Sequence, residues 1–500
     1  SRVFHEYPSW SKTLVVCTFI SSGGGIVAYG DGRAAAYSDC GDQIPKKKVV
    51  VLGTGWAGTT FVKNMKNSSY DIHVVSPRNY FAFTPLLPSL TCGTVEARSI
   101  IEPIRNISKK SGLDIEFSEA ECYKIDPKNN KVYCRAAHQD KKLGGIDEFS
   151  IDYDYLVIAM GARSNTFNTP GVQEHAYFLK EVEDALRIRK KVINLFERAS
   201  LPSVSVEEKK KLLSFVVVGG GPTGVEFAAE LHDFVHDDLS KLYPSLMDHV
   251  TITLLEAGDH ILNMFDKRIT EFAEGKFKRD GIDVKLGSMV VNVGEKDITS
   301  KERGSGQVVT MPHGMINRRA LVTDEWLRVE GCDNIYALGD CATINQRRVM
   351  EDIAVIFSKA DKENSGMLDL KEFQNVVDDI IERYPQVDIY LKKNQMKDMA
   401  TLLNKAQESP ATTVDIEYFK QAVSKVDSQM KNLPATAQVA AQQGAYLADC
   451  FNRMELCEKY PEGPLRFRGT GRHRFHAFRK LWSNTTDVSL IATMNSGLTH

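Results

Sequence analysis

The sequence predicts an α/β protein, because one pattern occurs twice. A short apolar, largely β-branched run leads into G-x-G-x-x-G, then a helical run, then a second apolar run. The copies begin at Lys48–Met65 and Ser214–Leu231. A third observation, an oxygen-rich loop between helical runs near residues 353–377, adds an insert of another kind. The predicted architecture is therefore two Rossmann-like dinucleotide-binding domains with an inserted α-helical EF-hand region.

The mid-chain copy carries the clearer signal. Phe215 to Val218 read as a buried parallel strand, and Gly219, Gly221 and Gly224 complete the motif before the helix starts. The first glycine permits the tight turn, the second admits a pyrophosphate and the third lets helix and strand pack closely. The diphosphate then lies at the positive end of the helix dipole. The next apolar run, Val250 to Leu255, ends in Glu256, a carboxylate placed to accept both ribose hydroxyls and to repel a 2′-phosphate, which favours NADH. Glu256 follows Gly219 at a longer interval than usual, and the polar run His236 to His249 reads as an insertion between helix and strand.

In the first copy, the strand Val49 to Leu52 precedes Gly53, Gly55 and Gly58, with a helix to about Lys66 and a strand Ile72 to Val75. Ser76-Pro77-Arg78 stands where a ribose acid is expected; Ser76 can hydrogen-bond a ribose instead. Two fingerprints mean two dinucleotides, and their order suits FAD first and a nicotinamide second.

Two further apolar strands end in turns: Tyr153 to Gly161 runs into Ala159-Met160-Gly161, and Asn334 to Asp340 ends in Gly339-Asp340. With these in the same order, the chain resembles the two-dinucleotide-binding flavoproteins. That resemblance implies that Gly161 lies at the junction of the domains and that Gly339 and Asp340 reach the flavin's ribitol. More closely, the chain resembles the plant-type external alternative (type II) NAD(P)H dehydrogenases of mitochondria, in Ser76–Glu96, Gly219–Leu231, Asn317–Ala342 and Ala435–Ala448. The resemblance implies rotenone-insensitive, non-proton-pumping oxidation of NADH through non-covalent FAD to ubiquinone, on the intermembrane-space side of the inner membrane. It also implies that Glu226 contacts the nucleotide, that Thr84 and Pro85 orient the flavin, and that Gln438 and Gln442, four apart on one helical face, border the quinone. Bare composition reads that last helix as an Ala-rich packing helix. A homodimer stays open.

The insert matches an EF-hand loop from Asp361 to Glu372. Asp361, Glu363, Ser365, Asp369 and Glu372 offer side-chain oxygens at positions 1, 3, 5, 9 and 12, the Met367 carbonyl serves position 7, and Gly366 makes the turn at position 6. The implied ligand is Ca2+. EF-hands usually pair, and the partner stretch Gln407–Tyr418 has Tyr418 where the bidentate acid belongs, so it is expected to pack without calcium.

The remainder bounds the reading. With 63 basic and 65 acidic residues, the chain has no global nucleic-acid signature, and nine cysteines without C-x-x-C argue against a disulfide framework or a tetrathiolate zinc site. The charge-free run Thr13 to Gly30 is at the short limit of a membrane span and is interrupted by Ser21 to Gly25; a flexible leader is the alternative. Leu465 to Lys480 interleaves basic residues with phenylalanines, as suits an anionic membrane interface. Two departures from the family are expected to matter: a short Pro312–Asn317 link where the family carries a further strand of the nicotinamide domain, and an unrelated Leu481–His500. Both look like splicing differences. The expected divisions are a leader at 1–44, an FAD domain at 45–200 and 326–350, an NAD(H) domain at 201–325, the EF-hand insert at 351–432, a quinone-side and membrane-side region at 433–480, and an unassigned tail at 481–500. The competing readings are an impaired nucleotide-binding calcium sensor and another flavin-dependent pyridine-nucleotide reductase.

Overall fold

Strand β1 (Lys47–Leu52) runs into helix α1 (Trp56–Asn64) and returns as β2 (Tyr70–Ser76), parallel to β1 with Leu52 opposite Val75. This is a computed structural model, and it describes residues 46–66, 69–113, 115–137, 148–295, 297–302, 320–324, 326–344, 350, 357–358, 367–369, 413–415, 420, 424 and 436–459. After a short antiparallel pair, β3 (Tyr80–Ala82) and β4 (Ile101–Pro103), between which lies α2 (Leu87–Cys92), the chain forms a meander. Its strands are β5 (Ile115–Asp126), β6 (Lys131–Ala136) and β7 (Glu148–Asp152). Strand β8 (Tyr155–Ile158) then enters beside β1.

Helix α3 (Val182–Ala199) bridges two cores. Val182 and Ala185 pack with Leu87 and Leu90, while Ile188, Val192 and Phe196 join the core of the second unit. That unit holds β9 (Ser214–Val218), α4 (Pro222–Asp233), β10 (Thr251–Leu255), α5 (Lys267–Asp280) and β11 (Asp283–Lys285), followed by the antiparallel pair β12 (Ser288–Val293) and β13 (Ile298–Glu302). The long interval before Glu256 has a structural cause: α4 continues through a π-helical turn, Phe234–Leu239, and a 3-10 segment, Pro244–His249, before β10 starts.

The return passes through β14 (Leu321–Thr323), β15 (Ile335–Ala337) and β16 (Ala342–Ile344). Strand β15 completes a seven-stranded sheet of order β15-β8-β1-β2-β5-β6-β7. β1 is buried on both faces: Val49 and Val51 pack into one core, Val50 and Leu52 into the other. That explains its unbroken apolar sequence, since a strand covered by helices or strands on both sides has no solvent face.

The second parallel sheet has the order β11-β10-β9 among the described residues. β9 is buried on one side only. Phe215 and Val217 pack into the core of the second unit, while Val216 and Val218 are 39% and 56% exposed; their counterparts in β1, Val50 and Leu52, are each 1% exposed. Beyond it, two three-residue strands, β17 (Met367–Asp369) and β18 (Thr413–Asp415), pair antiparallel with Leu368 opposite Val414.

Helix α6 (Ala437–Lys459) lies along α1. A Cβ at Gly444 would meet the Ala57 carbonyl oxygen and, at 3.0 Å, the Phe61 nitrogen, so the small-residue segment permits close backbone approach. Farther along α6, Phe451 is fully buried and meets the rings of Phe61, Tyr70, Tyr155 and Tyr336 at centroid separations of 5.2 to 5.5 Å. The Asn452 side chain accepts from Lys66 N at 2.9 Å and donates to the Asn64 carbonyl at 2.9 Å, closing the C-terminal end of α1. Among the described residues no helix is long and apolar enough to cross a membrane. The run Thr13–Gly30 and the basic segment from Leu465 lie outside the described residues.

Candidate functional site

The two glycine loops have the same construction. Gly53 and Gly219 adopt φ of 104° and 106°, a region that a Cβ disfavours. The amide of each donates to the end of the neighbouring parallel strand, Gly53 N to Val75 O at 2.8 Å and Gly219 N to Leu255 O at 2.9 Å. A Cβ at Gly58 would strike the Gly53 carbonyl, and one at Gly224 the Gly219 carbonyl, so the third glycines bring helix and turn together. At Gly55 and Gly221 a Cβ would meet nothing within 4 Å. These middle glycines face open space, and each is the N-cap of a helix without a side-chain cap. The first N–H groups of α1 and α4 are thus left for an external acceptor, which is what a diphosphate supplies.

The loops differ in one respect. A Cβ at Gly53 would collide with the Ala159 carbonyl at the end of β8, whereas one at Gly219 has no neighbour within 4 Å. Beside the first loop a flanking strand ends in the Ala159-Met160-Gly161 turn, with Gly161 at φ 67°; beside the second, no such strand occurs among the described residues.

The residues that follow the second strands also correspond. Glu256 Oε2 accepts from Gly220 N at 2.6 Å and Oε1 from Gly258 N at 2.6 Å, so the carboxylate lies against the glycine loop. In the first copy the Ser76 hydroxyl meets the Thr54 hydroxyl at 2.9 Å and accepts from Arg78 N at 3.2 Å. Thr54 stands where Gly220 stands, so a buried hydroxyl pair replaces the contact between amide and carboxylate. Ser76 is 2% exposed and turned inward, and its hydroxyl is engaged by the protein. Arg78, just beyond it, ion-pairs with Glu181.

Around the first loop the expected flavin-side residues converge. The Thr84 hydroxyl accepts from the Trp56 indole N–H at 2.8 Å, and Trp56 is set edge-on to Phe81 and Phe83. Thr84 and Pro85 lie in a 3-10 turn, Thr84–Leu86. Gly339, at φ 75°, sits between Ala57 and Ala440, whose Cβ atoms lie 3.4 and 3.6 Å from the position its own would take. Gly339 N donates to Gln443 Oε1 at 2.7 Å. Asp340 Oδ2 lies 3.5 Å from Lys180 Nζ.

Sequence reasoning missed Gln443 and Lys180. Three glutamines occupy six positions of α6, and only packing distinguishes them: Gln443 is buried on the Gly339 turn, Gln438 is exposed, and Gln442 Oε1 is buried without a hydrogen-bond partner. A buried acceptor of this kind fits a ligand donor at this point. Glu230 on α4 accepts from Ser89 Oγ at 2.8 Å and Thr94 Oγ1 at 3.3 Å, which ties α4 to α2 and the turn after it. Glu226, one turn earlier, has its carboxyl raised above the usual range by desolvation and then by the Glu230 charge. Met367 and Asp369 fall among the described residues as the ends of β17, whereas Asp361, Glu363, Ser365 and Glu372 lie outside them.

Comparison with known proteins agrees with this construction. Residues 47–356 match the family described as pyridine nucleotide-disulphide oxidoreductase. The chain is 62% identical over 507 residues to the mitochondrial external alternative NAD(P)H-ubiquinone oxidoreductase B3 of Arabidopsis thaliana, covering 96% of this chain and 87% of that one. It is 55% identical over 504 residues to the B1 protein of Solanum tuberosum, with the same coverage. Among solved structures, that of NDH2 from Plasmodium falciparum in complex with NADH superposes with a TM-score of 0.67 at 31% identity, covering 81% of this chain and 83% of that one. The chain therefore belongs to the pyridine nucleotide-disulphide oxidoreductases and, within them, to the mitochondrial external alternative NAD(P)H-ubiquinone oxidoreductases.

Proposed function

We propose that this chain oxidises NADH and delivers the electrons to ubiquinone as a type II dehydrogenase, on the intermembrane-space side of the mitochondrial inner membrane, under calcium control. The observation that carries the reading is the pair of matched glycine loops, one with the Glu256 carboxylate against it and the other backed by helix α6, whose Gln443 holds the Gly339 turn. The open cradle at Gly55, the uncapped start of α1 and the unpartnered Gln442 Oε1 fit FAD. When bound, FAD supplies the acceptance of hydride and the release of two electrons.

The protein's own contribution is binding and orientation. Gly53 and Gly55 admit the diphosphate, Asp340 holds the ribitol against Lys180, and Gln443 fixes the Gly339 turn on which Asp340 depends. Thr84, locked by Trp56, and Gln442 orient the reactive ring. In the second unit Gly219, Gly221 and Glu256 take the nicotinamide dinucleotide, with Glu226 on the cleft side of α4. Gln438, one turn before Gln442 and exposed, borders the quinone's approach.

Three observations support the finer parts. Numbering the two proposed loops from Asp361 and Gln407 makes Leu368 and Val414 position 8 of each, and the antiparallel β17–β18 register pairs those two residues, with positions 7 and 9 exchanged about them, which supports a paired arrangement of the loops. The exposed face of β9 agrees with a nicotinamide domain shortened at the Pro312–Asn317 link. The basic, Phe-bearing segment Leu465–Lys480 supports attachment to an anionic membrane surface.

The test is spectroscopic. Purified protein should show a flavin spectrum that NADH bleaches anaerobically and a soluble ubiquinone analogue restores. A colourless protein, or bleached flavin that the quinone leaves reduced, would sink the proposal.

A further inference from the structure

One pair of thiols takes no part in the site. Cys122 on β5 and Cys134 on β6 stand directly opposite each other in the antiparallel ladder. Cys134 is fully buried, Cys122 is partly exposed, and both belong to the cluster that contains Ala120 and Val132, so they share the inner face of the sheet. A bulge follows Cys122: the register steps from Cys122↔Cys134 to Lys124↔Tyr133 and leaves Tyr123 unmatched, 45% exposed on the other face. Directly opposed residues of an antiparallel ladder have Cα atoms about 4.5 or about 5.5 Å apart. Both values lie inside the span of about 4.4 to 6.8 Å that a disulfide bridges. The Cys122 thiol points into the bulge, where it donates to the Lys124 carbonyl oxygen at 3.6 Å.

We propose that Cys122 and Cys134 form a redox-active dithiol that closes to a disulfide by exchange with a low-molecular-weight disulfide such as oxidised glutathione. The Cys122 thiolate attacks one sulfur of the small disulfide, forms a mixed disulfide and releases one small thiolate. Cys134 then attacks the Cys122 sulfur, its proton passes to the departing group, and the second small thiol leaves. One small disulfide is reduced to two thiols while the protein dithiol loses two electrons and two protons.

The order of attack follows from the environments. The neighbouring Cys134 thiol draws the Cys122 thiol below its ordinary pKa, while the Cys122 neighbour and burial push Cys134 up, so the more accessible sulfur is also the more readily ionised. Burial keeps Cys134 from meeting a disulfide in solution and leaves it the resolving role. The partial exposure of Cys122 gives the surrounding thiol pool access to one sulfur of the bridge. It would lie three residues beyond Glu119, the partner of Ser76 in the β2–β5 ladder, at the end of the sheet that carries the first loop's ribose position.

The test uses the whole flavin-loaded protein equilibrated with mixtures of reduced and oxidised glutathione, followed by acid quenching, alkylation and peptide mass spectrometry. The expected result is a Cys122–Cys134 linked peptide that rises from near zero to most of the protein as the oxidised fraction grows, while Cys92 and Cys450 stay alkylated. Cys134→Ser should accumulate glutathione on Cys122, whereas Cys122→Ser should leave Cys134 unmodified. Full alkylation of both thiols in the most oxidising mixture, or glutathione on each without a linked peptide, would overturn the assignment.

Discussion

A Cβ at Gly55 meets nothing within 4 Å, whereas one at Gly58 strikes the Gly53 carbonyl, so neighbouring glycines of one motif have separable roles. Gly55→Val is expected to fold but to purify colourless, because its side chain takes the space the diphosphate needs. Gly58→Val is expected to lose thermal stability even without cofactor. Stoichiometric FAD in folded Gly55→Val, measured by absorbance after denaturation, would refute the cradle. Glu256→Gln is expected to narrow the preference for NADH over NADPH, because the neutral amide no longer repels a 2′-phosphate. It keeps only one carbonyl oxygen for two amide donors, Gly220 N and Gly258 N, so about 1 kcal/mol of loop stability should go as well. An unchanged ratio of kcat/KM for the two nucleotides would exclude Glu256 as the selector. The glycines and Glu256 were legible in the sequence because their roles depend on spacing along the chain. Gln443 was not, because Gln438 and Gln442 share a helical face by arithmetic, while the contact with Gly339 depends on how α6 is rotated against α1.

At the scale of elements, β1 and β9 have nearly interchangeable sequences and different surroundings. Both are apolar, parallel and followed by the same glycine turn, yet β1 is covered on both faces and β9 on one. Val50→Thr should therefore cost roughly 1 to 3 kcal/mol, the range for burying an unpaired hydroxyl. Val216→Thr should fall within about 0.5 kcal/mol of the parent, as for an exposed surface position. Chemical denaturation of the two variants reads this difference, and an equal large loss in both would show that β9 is covered in solution. The strand itself was legible from its β-branched run; its exposed face was not, because covering depends on elements distant in sequence. The interval before Glu256 was read as an insertion and takes the form of a π-helical and 3-10 continuation of α4, a local winding that apolar periodicity does not reveal.

At the scale of the whole molecule, the insert stands in the chain between two parts of the proposed flavin site. It leaves the sheet after β16, just beyond the Gly339-Asp340 turn, and returns as α6, which grips that turn through Gln443 and lies against Ala57 through Gly444. In the proposed EF-hand, calcium would draw Glu372 in as a bidentate ligand and move the segment that follows it. A shift transmitted to α6 would alter the Gly339–Gln443 hydrogen bond and the position of Gln442. Such coupling requires calcium to favour the active arrangement, and its usual strength corresponds to about 5- to 150-fold in affinity. Site affinity should be on the order of micromolar, given one competent loop with Glu363 and Ser365 in place of the usual ligands. NADH oxidation should then be several-fold faster in calcium than in EGTA, and Glu372→Gln should lose the difference while keeping its FAD, since no residue of the flavin wall is changed. Gln442→Leu should respond to calcium but impair reoxidation by quinone more than reduction by NADH, which separates the gate from the groups it positions. Wild-type turnover that is the same in EGTA and in calcium would exclude calcium control.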